Sequence, residues 1–422
     1  MRIPTAKLVL AVVLFAALGI GGFFAVRELL PALRPPFFKP PEDITKLIPG
    51  DSEVPPAVNE TDMPLKLPPG FSISIFAKDL PGSRVMRFDQ FGNMWVSRTE
   101  VGAVTLLEID RDTGRVRNQD DIFTDLRKPH GLAFDPESPL LIYIAEEHRV
   151  WRVTTYSDDP GEEIISLPFG EGHFTRTIAF GPASADASAG RPDKKLYISV
   201  GSSCNVCNER DERRAAILRY DPKSQQSEIF ARGLRNAVFF TWDFSGRMWA
   251  IDMGRDWLGD DLPPDEINII EEGKNYGWPI CYGKNIHDTD FDKNVYIRNP
   301  CAEPFEKSSF IDLEAHVAPL GLAFVPVDSG WPEDYWYDLL VAYHGSWNRS
   351  EPTGYKVVRH KLDEEGNYQG AEDFITGWLT SEGALGRPVD ILIQPGGAMY
   401  LSDDKAGVIY KIIHRGAGGR VQ

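Results

Sequence analysis

Two patterns of apolar positions run along the chain. The first is continuous: residues 8–26 carry no charge. Wound as a helix, such a run reaches about 28 Å at ~1.5 Å per residue, close to the ~30 Å hydrocarbon layer of a bilayer. The second is short and repeated. A polar or charged residue opens an apolar stretch ending in Phe or Ile, a turn with Asp, Pro or Gly follows, and a second apolar stretch comes next. Residues 84–88 lead in this way to 94–96, 130–134 to 142–144, and 176–180 to 196–198. Residues 235–239 lead to 248–250, 319–324 to 339–341, and 387–391 to 399–401. The first three copies are spaced by 46 residues, counted from Phe88 to Phe134 to Phe180. Self-similarity at this period, with several strands per unit, predicts an all-β chain folded as a six-bladed β-propeller. One blade cannot bury both of its faces; six arranged radially can.

The residue opening each inner strand of such a ring faces one mouth of the central channel. Here the openers are Arg84, His130, Arg176 (with His173 just before it), Arg235, the Ala318-Pro319 turn (with His316) and Arg387. Guanidinium and imidazole groups converging on one hollow call for an anionic ligand. The chain as a whole carries a formal charge of −17, which speaks against a nucleic-acid partner. Its 42% hydrophobic content suffices for a large core.

The flanks read differently. Residues 1–30 are expected to be an N-terminal membrane anchor or a signal segment; Ala17-Leu18-Gly19 is a weak cleavage candidate. Arg2 and Lys7 precede the apolar run, but Arg27, Arg34 and Lys39 follow it, so the positive-inside count does not set orientation. Residues 31–65 are Pro-rich and read as a linker, 66–415 as the propeller, and 416–422 as a disordered tail. Cys204 and Cys207 form C-x-x-C without the His that haem attachment needs, and Cys281 and Cys301 are too far apart for a paired zinc motif. Two structural disulfides in an oxidising compartment fit better, with the 204/207 bridge stiffening a loop near the pocket mouth. The body is therefore expected on the extracytoplasmic (periplasmic) face of the membrane, anchored by one helix, or secreted if cleaved.

Several motifs have a familiar form. Gly172-His173-Phe174-Thr175-Arg176, Gly233-Leu234-Arg235-Asn236, Pro264-Asp265-Glu266-Ile267-Asn268 and Asn275-Tyr276-Gly277-Trp278-Pro279 resemble the glucose/sorbosone dehydrogenase family of PQQ-dependent aldose dehydrogenases. His344-Gly345-Ser346-Trp347-Asn348-Arg349, Gly386-Arg387-Pro388-Val389-Asp390 and the segment 202–207 are similar to its sorbosone-dehydrogenase branch. The resemblance spans roughly residues 66–415. It implies oxidation of the C1 hydroxyl of an aldose or a hydrated sugar aldehyde, with hydride passing to PQQ. His173 matches the family's general base, and Arg235 with Asn236 its pair beside the quinone. Arg387 matches a cofactor cation, and Arg349 loosely fills the place of a cofactor-binding lysine. Calcium is the implied metal, at the carbonyls of Gly254 and Arg255, with a second site at Glu266 and Tyr276. Met253 and Arg255 replace the Gln and Pro of glucose-oxidising members; Val389 replaces a second Arg, and His130 a substrate-contacting Gln. Met253 thus falls on the cofactor and His130 on the substrate, and the identity of the sugar stays open.

Two rival readings accompany this one. A calcium-dependent propeller lactonase would place Glu, Asn and Asp ligands in the channel, where this chain places Arg and His. A non-catalytic extracytoplasmic binding propeller has no need of His173 beside the Arg235-Asn236 pair. No haem motif is present in the sequence, so electrons would leave to a separate quinone or cytochrome acceptor.

Overall fold

The computed structural model describes residues 54–182, 194–304, 306–327 and 329–416. The expected anchor at 1–30 and the tail beyond 416 lie outside them. Among the described residues, no helix is long and apolar enough to cross a membrane.

The described chain forms six radially repeated sheets. Blade 1 consists of Ser83–Phe88, Met94–Arg98, Ala103–Ile109 and Val116–Phe123. Blade 2 follows with Leu132–Phe134, Leu141–Ala145, Arg149–Thr154 and Glu162–Ser166. Blade 3 contains Ile178–Phe180, Leu196–Val200, Ala216–Asp221 and Gln226–Arg232. Blade 4 contains Phe240–Trp242, Met248–Asp252, Glu266–Ile270 and Ile311–Asp312, with a small hairpin, Cys281–Tyr282 and Ile286–His287, inserted before its last strand. Blade 5 is Pro319–Phe324, Leu339–Tyr343, Lys356–Leu362 and Tyr368–Ile375. Blade 6 joins Pro388–Ile393, Met399–Asp403 and Val408–His414 to the early strand Phe71–Ala77. Val58–Asn59 adds a parallel edge to that blade, so residues 54–65, read from sequence as the end of the linker, join the fold.

The repeat works through register. The last inner-strand residue faces the first apolar residue of the second strand: Phe88 opposite Met94, Phe134 opposite Ile142, Phe180 opposite Leu196. One step on, Trp95, Tyr143, Tyr197, Trp249 and Tyr400 occupy equivalent positions. Three of these rings reach toward the Asp that follows the inner strand, and the two indoles bond it: Trp95 Nε1 donates to Asp89 (3.1 Å) and Trp249 Nε1 to Asp243 (2.9 Å), while the Tyr143 hydroxyl lies 3.4 Å from Asp135. The second strands are almost wholly buried, and the outermost, such as Val116–Phe123, are largely exposed. Burial is thus greatest at the second strands and falls toward the rim.

Two registers differ from the sequence reading. Blade 4 begins its inner strand at Phe240, and Trp242 rather than Phe239 faces Met248. Arg235 and Asn236 are thereby left in a loop, because the buried Asp252 carboxylate captures both of their backbone N–H groups, at 2.9 and 2.6 Å. In blade 6 the residue opposite Met399 is Ile393, not Ile391.

Neighbouring inner strands approach closely where glycine permits it. A Cβ on Gly131 would stand 2.3 Å from the Arg176 carbonyl, and one on Gly321 2.3 Å from that of Val389. Backbone cannot yield as a side-chain tip can. Gly131→Ala is expected to lower unfolding free energy by about 1–3 kcal/mol or more, read as a drop in the denaturant midpoint. An unchanged midpoint would show that blades 2 and 3 are not in close contact there.

Candidate functional site

Loops at one end of the inner strands enclose a cavity of about 270 Å³. Three buried carboxylates seat those loops. Asp252 holds Arg235 and Asn236 as described. Asp265 accepts the N–H groups of Gly254 and Ala318, both at 2.8 Å, and Asp403 accepts those of Arg387 and Ala406, also at 2.8 Å. Burial raises Asp252 well above its ordinary range, Asp265 to about 7 and Asp403 to about 6, against the pull of these N–H bonds.

His173, Arg235, Asn236, Met253, Gly254 and Arg387, all singled out in the sequence, line this cavity. His173 is fixed on one side. Its Nδ1 lies 3.0 Å from Ser202 Oγ and 3.2 Å from Ser202 O. The Ser202 hydroxyl proton goes to Cys204 O at 2.7 Å, so Ser202 Oγ accepts from His173. This arrangement assigns the proton to Nδ1 and leaves Nε2 with its lone pair. Burial, and next the Arg235 charge, push the imidazole down to about 3, with Arg176 and Arg214 adding to the effect. In the ligand-free chain His173 is therefore expected to stay neutral on acidification to near pH 4, well below the ordinary ~6.5. A midpoint near 6.5 in an NMR titration would contradict this. Its contribution to stability is complete above ~6.5 and is lost as pH falls from there toward 3, because the unfolded imidazole takes up its proton first.

Arg235 spends all five of its donors on the protein. Nε and Nη2 donate to Asn205 O and Asn205 Oδ1, both at 2.9 Å, and Nη2 also to Asp256 at 3.0 Å; Nη1 reaches Met253 O at 3.3 Å and Gly254 O at 2.9 Å. It presents charge to the cavity rather than open N–H groups. Arg84 and Arg387 are different. Arg84 Nη1 pairs with Asp404 at 2.8 Å, and its buried Nε has no partner. Arg387 donates from Nε to His344 O at 3.0 Å and from Nη2 to Gly345 O, and its Nη1 has no hydrogen-bond partner among the described residues.

Two cavity elements were not singled out as site residues in the sequence. His344 Nε2 lies 3.0 Å from Asp404. Burial lowers His344 to about 4. Burial would raise Asp404, but the His344 bond and the Arg84 and Arg387 charges outweigh it and hold the carboxyl at about 2. Trp347 also lines the cavity, and it stands edge-on to Trp257 with ring centroids 5.5 Å apart. The two indoles are 66% and 70% exposed, and Trp257 has φ +74°, a conformation seldom adopted by bulky residues. Asn348, which donates to Asp256 at 2.7 Å, ties their loops together.

Other expected residues lie elsewhere. His130 is fully buried, against Phe239 and near Thr177, and does not reach the cavity wall. Arg176 is buried beneath it, donating to the carbonyls of His173, Thr175 and Pro168. Arg349 turns outward to Ala315 O, Glu314 and Asp261. The Arg255 side chain pairs with Asp288 and Asp290. Glu266 is buried and accepts from Asn268 and from Gly283 N, and the Tyr276 hydroxyl donates to Ile269 O. Both cysteine pairs are disulfides. Among the described residues, the only cluster of three groups of metal-ligating type is Cys204, Cys207 and Glu209, and its sulfurs are bonded to each other.

These residues sit on a scaffold shared with known proteins. An uncharacterized protein of Borreliella burgdorferi is 30% identical over 372 residues, covering 85% of this chain and 93% of that one. The pyrroloquinoline quinone-dependent pyranose dehydrogenase of Coprinopsis cinerea is 27% identical over 228 residues, which is 44% of this chain and 29% of that protein. The solved holo form of its PQQ domain superposes with a TM-score of 0.68 at 21% identity, covering 84% of this chain and all of that one. The calcium structure of a Trichoderma reesei family AA12 enzyme gives 0.69 at 20% identity, covering 85% of this chain and all of that one. A TrAA12-like family model matches residues 65–415, nearly all of the propeller and every cavity residue named above, and the chain accordingly belongs to the TrAA12-like family.

Proposed function

We propose that this chain is a PQQ-dependent oxidoreductase that oxidises the C1 hydroxyl of an aldose or a hydrated sugar aldehyde. The observation that carries the reading is that Arg84, Arg387 and a neutral His173 line one cavity, and that each of the two guanidiniums keeps a donor that no described residue takes. A flat tricarboxylate suits that donor set: Arg84 and Arg387 would hold its carboxylates, with Asn236 at its edge. PQQ, when bound, supplies the two-electron acceptor for hydride leaving C1. His173 Nε2 takes the hydroxyl proton, Ser202 keeps the ring in the required tautomer, and Arg235 lends positive charge to the wall as negative charge develops. The relatives' names support a sugar substrate, and the exposed Trp257–Trp347 pair is suited to packing on a sugar ring at the mouth.

Calcium fits less well. Gly254 O already accepts from Arg235, so an ion placed there would stand beside a guanidinium. A separate quinone or cytochrome would collect the electrons, and the apolar run 8–26 would tether the body on the extracytoplasmic side, in keeping with the two disulfides.

The test is an absorbance titration of the purified chain with PQQ, with and without calcium, followed by aldose-dependent dye reduction. Stoichiometric PQQ binding with sugar-dependent dye bleaching is expected. Lactone hydrolysis without dye reduction would replace the reading with a lactonase, and PQQ-independent sugar binding alone would replace it with a binding propeller.

A further inference from the structure

We infer that the Cys204–Cys207 turn is the positioning device of the site: one disulfide-closed loop sets His173 through Ser202 and Arg235 through Asn205. This deepens the proposed function, because it concerns the base and the charged wall of that same cavity.

The loop connects to both groups directly. On its first side, Ser202 N donates to Arg235 O at 2.8 Å, and His173 N to Ser202 O at 2.9 Å. Ser202 Oγ then stands between His173 Nδ1 and Cys204 O, so the carbonyl of a bridged cysteine decides which way the hydroxyl points. If Cys204 O moves away, Ser202 Oγ can donate to Nδ1 in competition with the Ser202 carbonyl that accepts from Nδ1 at 3.2 Å, and part of the imidazole population shifts its proton to Nε2. That tautomer is useless as a base at Nε2.

On its second side, Asn205 lies inside the four-residue ring closed by the disulfide. Its O and Oδ1 accept from Arg235, its Oδ1 also accepts from Asp256 N at 2.7 Å, and its Nδ2 donates to Asp256 O at 3.0 Å. Asn205 therefore takes two of the five Arg235 donors and holds Asp256, which takes a third. Beyond the ring, Ser203 N and Oγ are bound by Glu209 at 2.6 and 2.7 Å, which anchors the outer turn. The approach leaves no slack: a Cβ on Gly201 would meet His173 Cβ and Asn236 Oδ1, each at 2.6 Å. A short covalent loop is well suited to this task, because it has few conformations in which to lose the geometry.

The test uses the full chain, with ¹⁵N spectra of its imidazole and guanidinium groups taken before any cofactor is added. In the parent protein, His173 should show a single Nδ1–H tautomer, and Arg235 Nε–H a slowly exchanging resonance. In Cys204→Ala/Cys207→Ala, His173 should become a mixture of tautomers and the Arg235 signal should broaden or exchange at least 10-fold faster. Cys281→Ala/Cys301→Ala, which opens the other disulfide, should leave both signals unchanged. If the first double variant does not fold, Ser202→Ala and Asn205→Ala separate the two arms with the disulfide intact. Ser202→Ala, which leaves Nδ1–H only the carbonyl of residue 202, should shift and broaden the His173 Nδ1–H resonance alone, and Asn205→Ala should affect only the Arg235 resonance.

Unchanged spectra in folded Cys204→Ala/Cys207→Ala, or in both single variants, would overturn the inference and leave the bridge as a structural staple. Because these readouts need neither PQQ nor a sugar, they stand or fall separately from the proposed activity. In PQQ-loaded protein the same variants should lose turnover about 10- to 100-fold with KM changed less than threefold, as expected of groups acting through the base.

Discussion

Replacing His173 with alanine is expected to reduce sugar-dependent turnover of the PQQ-loaded protein by a factor on the order of 10²–10⁴, with PQQ affinity kept within a few-fold. Among the described residues the side chain has no ion pair, and its ring hydrogen-bonds to Ser202 alone, so its removal should leave the propeller intact. Burial and the nearby Arg235 keep the ring neutral, so it is ready to accept a proton without first losing one. A His173→Gln variant should be equally slow, since an amide of similar reach can bond Ser202 but cannot act as a base. Unchanged turnover in either variant would remove His173 from the chemistry. Loss of PQQ binding in both would make it a cofactor ligand instead.

Arg84→Ala should weaken PQQ binding by about 2–5 kcal/mol, or roughly 30- to several-thousand-fold, the range for removing one partner of a buried charged hydrogen bond. Arg84 is buried, its Nε has no protein acceptor, and its Nη1 balances Asp404. Its removal therefore takes a donor from the ligand and also leaves Asp404 with only His344 to face it directly. Arg387→Ala should behave similarly. Arg349→Ala is the contrasting case: its guanidinium faces Glu314 and Asp261 outside the cavity wall, and PQQ affinity should change less than threefold. Fluorescence titration of each variant measures this directly. A strong effect at Arg349 with none at Arg84 would reverse the assignment of the cationic wall.

These expectations show what the sequence could carry. The six-fold repeat was legible because blade grammar is local: an apolar pair in register, followed by an Asp that receives the next strand's indole, as at Asp89 and Trp95. The family resemblance, borne out by the match over residues 65–415, brought His173, Arg235, Asn236 and Arg387 to attention, and all four line the cavity. What escaped depends on partners distant in sequence. The loop position of Arg235 follows from capture of its N–H by Asp252, which no local pattern announces. Asp404 becomes a site residue only because His344 and Arg84, 60 and 320 positions away, meet it. His130 opens its segment as Arg84 does, yet Gly131 lets blade 2 press against blade 3, and the ring is buried beneath the cavity. Arg349 stands just past Trp347 and Asn348, where the loop has already turned outward.

The sheet that unites Phe71–Ala77 with Val408–His414 has a bearing on biosynthesis. The first of these segments leaves the ribosome some 340 residues ahead of its partner, roughly twenty seconds to a minute at ~5–20 residues per second. Throughout that interval Phe71 and Ile73, which end up fully covered, have no native cover from the closing strand. Nascent chains of this protein should therefore depend on a holding factor until translation is nearly complete, and stalling shortly before residue 408 should trap an open, adhesive crescent.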